Sequence, residues 1–295
     1  MAPSQRNSAA RLLLTPMVLI MAVVTGFPLI NTIWLAFTDA SLTGRGYDWN
    51  WSGLENFAWI VDDADFHAAL GHTVYFTVVS VSIEVVLGVL VALLLNQQFV
   101  GRALVRALLI LPWALPTIVN AVMWRLIYNP EYGSLNALLT QLGLISSYRS
   151  WLGDPASAMN AVVLADVWKN YPLIALIVLA GLQTIPRELY EAAIMDGAGP
   201  WKRFWNITLP GIMGPLSVAL VLRAIEAFKV FDIIYVMTRG GPADTTKTAS
   251  FFVYQESFTY LRAGSGAAYA LTVTALSALM IALYVFMIRR REAAA

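Results

Sequence analysis

TVYFTVVSVSIEVVLGVLVALLL, Thr73–Leu95, decides the fold class. It carries one charged residue, Glu84, in 23 positions. A helix needs about 20 apolar residues to cross roughly 30 Å of hydrocarbon, and this run is long enough. The same test selects five further segments: Leu12–Phe37, Ala107–Tyr128, Ala161–Leu182, Gly211–Tyr235 and Ala267–Ile288. The sequence therefore predicts an all-α polytopic membrane protein with six transmembrane helices. Residues 1–295 read as a single transmembrane domain, with 1–72 holding the N-terminal span and first outer loop and 73–288 the core spans.

Composition agrees. The chain is 59% hydrophobic and 13% charged, where a soluble domain is nearer a quarter charged. Net charge is +1, and the only basic run is Arg289-Arg290-Arg291 at the end, so nothing points to nucleic acid. Cysteine is absent, which removes disulfides and cysteine-ligated metals. The two histidines, His67 and His72, are expected in one loop that offers too few ligands for zinc. The first span is longer than the apolar core of a signal peptide and ends in Trp34 and Phe37 rather than a small-residue cleavage site. It reads as an uncleaved anchor.

Orientation follows from the cations. Arg6, Arg11, Arg102, Arg106, Arg187, Lys202, Arg203 and Arg289 to Arg291 fall on one side, ten in all, against Arg45, Arg149, Arg239, Lys247 and Arg262 on the other. The more basic side is expected inside, which places both termini in the cytoplasm.

One connection does not look like a spacer. In Gln183–Pro210, Pro186 suits a helix start, and Arg187–Asp196 contains no breaker. Gly197 can end that helix in the left-handed conformation, and Trp201–Ile207 forms a second helical piece. The spacing Glu191-Ala192-Ala193, three residues, Gly197, nine residues, then Ile207-Thr208-Leu209-Pro210 resembles the EAA motif of binding-protein-dependent ABC importer permeases. Phe231–Thr238 followed by Gly240-Gly241-Pro242, with Tyr254 and Phe258 beyond, resembles the carbohydrate-importer branch. Gly53-Leu54-Glu55-Asn56-Phe57 resembles the first permease of maltose, glycerol-3-phosphate and trehalose systems, here in a compact six-span form.

The resemblance implies the transmembrane-domain fold of type I ABC importers, in the inner membrane of a bacterium. It implies that 183–210 is a coupling loop, with Glu191, Ala192, Ala193, Asp196 and Gly197 meeting an ATPase. It also implies a second homologous permease, two ATPase subunits and a periplasmic or lipid-anchored solute-binding protein. No cofactor is expected in this chain. Its lysines, Lys169, Lys202, Lys229 and Lys247, sit in no phosphate-binding Gly-rich loop, so ATP and magnesium belong to the partner. The chain is expected to be a transport subunit, not an enzyme.

Polar residues inside spans are costly, about 2.5–3.5 kcal/mol per central charge on insertion scales, so they mark a pathway or an internal pair. Asn120, Trp124, Asp166, Lys169, Asn170, Glu226, Lys229 and Asp232 cluster at one depth, from the midplane outward, and are the expected substrate pathway. Polar groups beside flat rings suit a sugar. The blander reading pairs Arg223, Glu226, Lys229 and Asp232 with one another at i, i+3, pairs Asp166 with Lys169, and makes Glu84 an interhelical bond. Pro112, Pro116 and Pro172 permit bends. The main rival function is a proton-coupled secondary transporter of a polar solute, which leaves the Gln183–Pro210 loop unexplained.

Overall fold

The structure, a computed structural model, describes residues 14–43 and 49–294. Arg6, Arg11 and Arg45 of the charge argument, and Leu12 at the expected start of the first span, lie outside the described residues. In chain order the helices are α1 (Leu14–Leu35), α2 (Glu55–Asp62), α3 (Ala64–Asn96), α4 (Arg102–Ala114), α5 (Thr117–Ile127), α6 (Ser134–Gln141), α7 (Ala158–Leu182), α8 (Arg187–Met195), α9 (Pro200–Phe228), α10 (Asp232–Met237), α11 (Ala249–Tyr254) and α12 (Ala263–Ala294). Thr38 and Trp51 form an isolated antiparallel bridge. The helices α1, α3, α7, α9 and α12 are long and apolar enough to cross a membrane, and α4 with α5 makes a sixth span if that bent pair counts as one.

Three expectations need correction. The third span is not one helix over Ala107–Tyr128: α4 and α5 meet at 94°. Leu115 is extended, with ψ 136°, because the ring of Pro116 disfavours the helical region for the residue before it. The fifth span starts earlier and stops sooner than Gly211–Tyr235. Trp201–Ile207 runs straight into it through a π turn over Phe204–Thr208. That wider turn makes room where the ring of Pro210 would strike the Asn206 carbonyl of a straight helix. The helix then ends at Phe228. Finally, His67 and His72 lie on α3 rather than in a loop, since the residues ahead of Thr73 contain only Gly71 as a weak breaker. His72 Nδ1 lies 3.1 Å from the Lys247 carbonyl.

The described chain packs as two compact units. One joins the residues up to Ala64 with Phe252–Leu276, and the other runs Asp65–Phe251 and resumes at Ser277. In the first, the Gly53–Phe57 stretch has a structural explanation. Gly53 turns the chain at φ +62°, and Asn56 Nδ2 donates to the carbonyls of Ala36 (2.9 Å) and Thr38 (2.8 Å). Phe57 packs on Phe37 at 5.3 Å between ring centroids. Asn56 thereby satisfies carbonyls left open after α1.

In the second unit α3, α7 and α9 share a core of Ala92 and Leu95, Ile174, Val178 and Leu182, and Ile212, Leu216 and Ala219. Glycines set the approach. A Cβ on Gly88 would lie 2.7 Å from Ile174 Cγ2, and one on Gly181 would lie 2.7 Å from Pro215 Cγ. In lipid, where the hydrophobic effect does not drive helices together, such close backbone packing supplies the cohesion.

Candidate functional site

The second unit holds a charged cleft of about 490 Å³, lined by Trp113 and Thr117, by Asp166, Lys169 and Asn170 of α7, and by Arg223, Glu226, Lys229 and the Val230–Ile233 turn. Six of the residues expected on a substrate pathway line it: Asp166, Lys169, Asn170, Glu226, Lys229 and Asp232. The chain breaks helix here because Lys229 and Phe231 leave helical geometry (φ −97°, ψ 17° and φ −138°, ψ −58°). The break turns Lys229 and Asp232 into the opening instead of continuing one helical surface. The freed Val230 carbonyl accepts from Thr248 Oγ1 at 3.1 Å. The loop carrying Thr248 is itself braced by Thr246, whose hydroxyl donates to the Gly241 carbonyl at 2.7 Å and lies 2.7 Å from Thr238 Oγ1. The Gly-Gly-Pro and threonine stretch thus buttresses the end of the cleft.

Asn120 and Trp124 do not line it. On α5, beyond the bend, Asn120 is fully buried and donates Nδ2 to the Ala165 carbonyl at 3.2 Å. Trp124 packs edge-on against Trp168 at 6.0 Å. Both residues fasten α5 to α7.

The charges pair differently from their spacing. Arg223 is buried and reaches three carboxylates: Glu84 (Nε to Oε2, 2.7 Å; Nη2 to Oε1, 2.9 Å), Asp166 (Nη2 to Oδ2, 3.0 Å) and Glu226 (Nη1 to Oε2, 2.7 Å). Of the expected i, i+3 pairs, only Arg223–Glu226 forms. Lys229 lies past the helix end, and Asp166 turns to Arg223 rather than Lys169. Asp166 also accepts from Asn170 Nδ2 at 2.9 Å. Glu84 does bond between helices, as its isolation in an apolar span implies. Its partner is not visible from spacing, because 139 residues separate the two. Among the described residues Lys169, Lys229 and Asp232 make no ion pair.

The second feature is α8 with its cap. The helix ends at Met195, Asp196 is the cap residue, and Gly197 takes φ +74°. The Gly197 N–H donates to the Ile194 carbonyl (3.0 Å) and the Ala198 N–H to the Ala193 carbonyl (2.8 Å), the two bonds of a Schellman closure. Glu191, Ala192 and Asp196 are exposed and Ala193 is half-buried. Leu189 and Ile194 are also exposed, and Met195 is almost bare at 87%. The opposite side of α8 is tied down. Tyr190 Oη lies 3.0 Å from Thr208 Oγ1, and Ile185 sits against Gly211, where a Cβ would come within 2.5 Å of Ile185 Cδ1. These contacts join α8 to the first half of α9, whose far end carries Arg223 and Glu226.

Residues 84–293 match the family described as "Binding-protein-dependent transport system inner membrane component". The chain is 43% identical, over 82% of its length and 81% of the relative's, to the trehalose/maltose transport system permease protein MalF of Thermococcus litoralis. It is 37% identical, over 96% of its length and 91% of the relative's, to the sulfoquinovosyl glycerol transport system permease protein SmoG of Agrobacterium fabrum. Its fold matches, with a TM-score of 0.83 at 22% identity over 97% of this chain and 96% of the other, a chain of a bacterial ABC transporter involved in the import of the acidic polysaccharide alginate. The fold is that of type I ABC importer transmembrane domains, and the chain belongs to the binding-protein-dependent transport system inner membrane component family, as a permease subunit and not an enzyme.

Proposed function

We propose that this permease carries a sugar or sugar derivative inward by alternating access, driven by ATP hydrolysed on separate subunits. The observation that carries the reading is the mechanical continuity from exposed α8, through Tyr190–Thr208, into α9 and the cleft. Glu191, Ala192, Ala193, Asp196 and Gly197 present the docking surface of a coupling loop spanning 183–210. A short helix is stiff enough to transmit a push, and its contacts must differ between ATPase states to shift the permease equilibrium. The relatives named for trehalose/maltose and sulfoquinovosyl glycerol support a carbohydrate cargo. The cleft supports it too, since Asn170, Lys169, Lys229 and Asp232 offer hydrogen bonds beside the rings of Trp113 and Phe231.

In this reading the chain forms one transmembrane domain with both termini cytoplasmic. It pairs with a second homologous permease and with two ATPase subunits that bind ATP and magnesium. A periplasmic or lipid-anchored solute-binding protein delivers cargo to the outer side. The test is Glu191→Ala combined with Gly197→Leu, measured as uptake and as permease present in the membrane. Insertion is expected to persist and uptake to be abolished; normal uptake refutes the coupling role.

A further inference from the structure

The ion cluster of the second unit has a front and a back. Asp166, Glu226 and Arg223 line the cleft, whereas Glu84, on α3, does not and has no exposed side-chain surface. Glu84 takes one edge of the guanidinium with both oxygens, Nε at 2.7 Å and Nη2 at 2.9 Å. A bidentate grip of this kind fixes the plane of the fork as well as its position. The remaining donors then point at the two cleft acids, Asp166 at 3.0 Å and Glu226 at 2.7 Å. Four of the five guanidinium N–H groups are thereby assigned.

We propose that Glu84 is a positioning residue for transport. From behind the cleft it sets the plane of Arg223, and Arg223 in turn holds Asp166 and Glu226 to the wall. With Asp166 Oδ2 and Glu226 Oε2 held by Arg223, and Asn170 donating to Asp166, cargo meets Lys169, Lys229 and Asp232 as the described cleft charges outside any ion pair. Without Glu84 the guanidinium turns on its side-chain torsions, and Asp166 and Glu226 enter the passage as competing acceptors. The inference rests on the cleft being the route of cargo.

The alternative is that the cluster only struts three spans together, and the two roles separate experimentally. When both members of a buried ion pair are replaced by apolar side chains of similar volume, stability is often kept or raised, whereas removing one partner strands a charge. Because Arg223 is also the cation of buried Asp166, a strut is repaired by the double variant Glu84→Leu with Arg223→Met made on Asp166→Asn, which strands no buried charge; a positioning device is not repaired, since Glu226 is still released into the cleft. The whole importer (this chain, second permease, ATPase subunits and binding protein) is reconstituted in vesicles. The probe is whichever labelled carbohydrate the binding protein retains from maltose, trehalose and sulfoquinovosyl glycerol. Assembled complex, ATP hydrolysis and cargo moved per ATP are read together.

The resulting triple variant is expected to assemble and hydrolyse ATP while moving at least tenfold less cargo per ATP. Glu84→Gln, which keeps the volume but loses one strong acceptor, should fall between it and wild type, and Glu84→Asp should recover part of the loss. Wild-type cargo per ATP in the triple variant overturns the proposal. If that variant fails to assemble, Glu84→Gln decides: a deficit fully explained by missing complex overturns it, and a deficit per assembled complex supports it. A wild-type complex that moves none of the probes with ATP is a separate result, which sinks the cleft reading and this inference with it.

Discussion

At Gly197 the backbone is left-handed and a Cβ would meet nothing within 4 Å. Alanine there costs the chain only the conformational penalty, about 1–2 kcal/mol. Gly197→Ala is expected to leave membrane-inserted permease near the wild-type level, and quantitative blotting of membranes checks this. Leucine at the same place adds bulk to an open face, so any further loss of uptake measures the fit of a partner and not the fold of the chain. Asp39 gives a pH dependence. Its carboxyl is held below the ordinary aspartate range because the Asn50 backbone N–H, and then the Asn50 side-chain amide, donate to the anion. A lowered folded-state pKa means the clasp is fully effective above the ordinary aspartate value. It is lost as pH falls through the lowered one. Hydrogen exchange at the Asn50 amide should accelerate on acidification through that window, beyond its intrinsic rate. Removing the titrating group with Asp39→Asn should flatten the response.

Element by element, the part most open to prediction is α8. Its start after Pro186, its unbroken run and its end at Gly197 are all set by local backbone chemistry, which a sequence displays. The broken third span is less legible. Pro116 is visible as a bend, but whether a proline kinks a helix or ends it depends on whether the residue before it is held helical by packing, and Leu115 is not. The π turns are hidden altogether. Of the three among the described residues, Ala22–Gly26 precedes Phe27-Pro28 and Phe204–Thr208 precedes Leu209-Pro210; in these two the wider turn gives the proline ring room without altering the apolar content of the span, whereas Gln255–Thr259 precedes no proline.

Two tests belong to this scale. Tyr190→Phe removes one hydrogen bond between α8 and α9, a loss of about 1 kcal/mol. It should lower uptake several-fold at unchanged permease level while ATP hydrolysis by the assembled complex continues. Gly181→Ala forces a Cβ onto Pro215 and should reduce the inserted permease that survives mild heating in detergent. Adding Pro215→Ala, which deletes the clashing Cγ, should restore it.

For the molecule as a whole, which polar residues come together is readable from sequence and how they pair is not. Asp166, Lys169, Asn170, Glu226, Lys229 and Asp232 can be placed at one level from span direction alone, and all six line the cleft. Asn120 and Trp124 share that expected level but are turned to α7 by the 94° bend. Which acid Arg223 chooses depends on three helices meeting, and neither the periodicity of one helix nor its charge spacing contains that. The same limit explains why Tyr190 and Thr208, ordinary residues in sequence, turn out to join the exposed knob to the span it would move. The measurement that bears most directly on this chain is uptake into sealed vesicles holding the complete complex, driven either by enclosed ATP or by an imposed proton gradient alone. Uptake with ATP, none with the gradient, and loss of the ATP-driven signal on Glu191→Ala with Gly197→Leu is the expected pattern. Gradient-driven uptake without nucleotide, unaffected by that substitution, contradicts it.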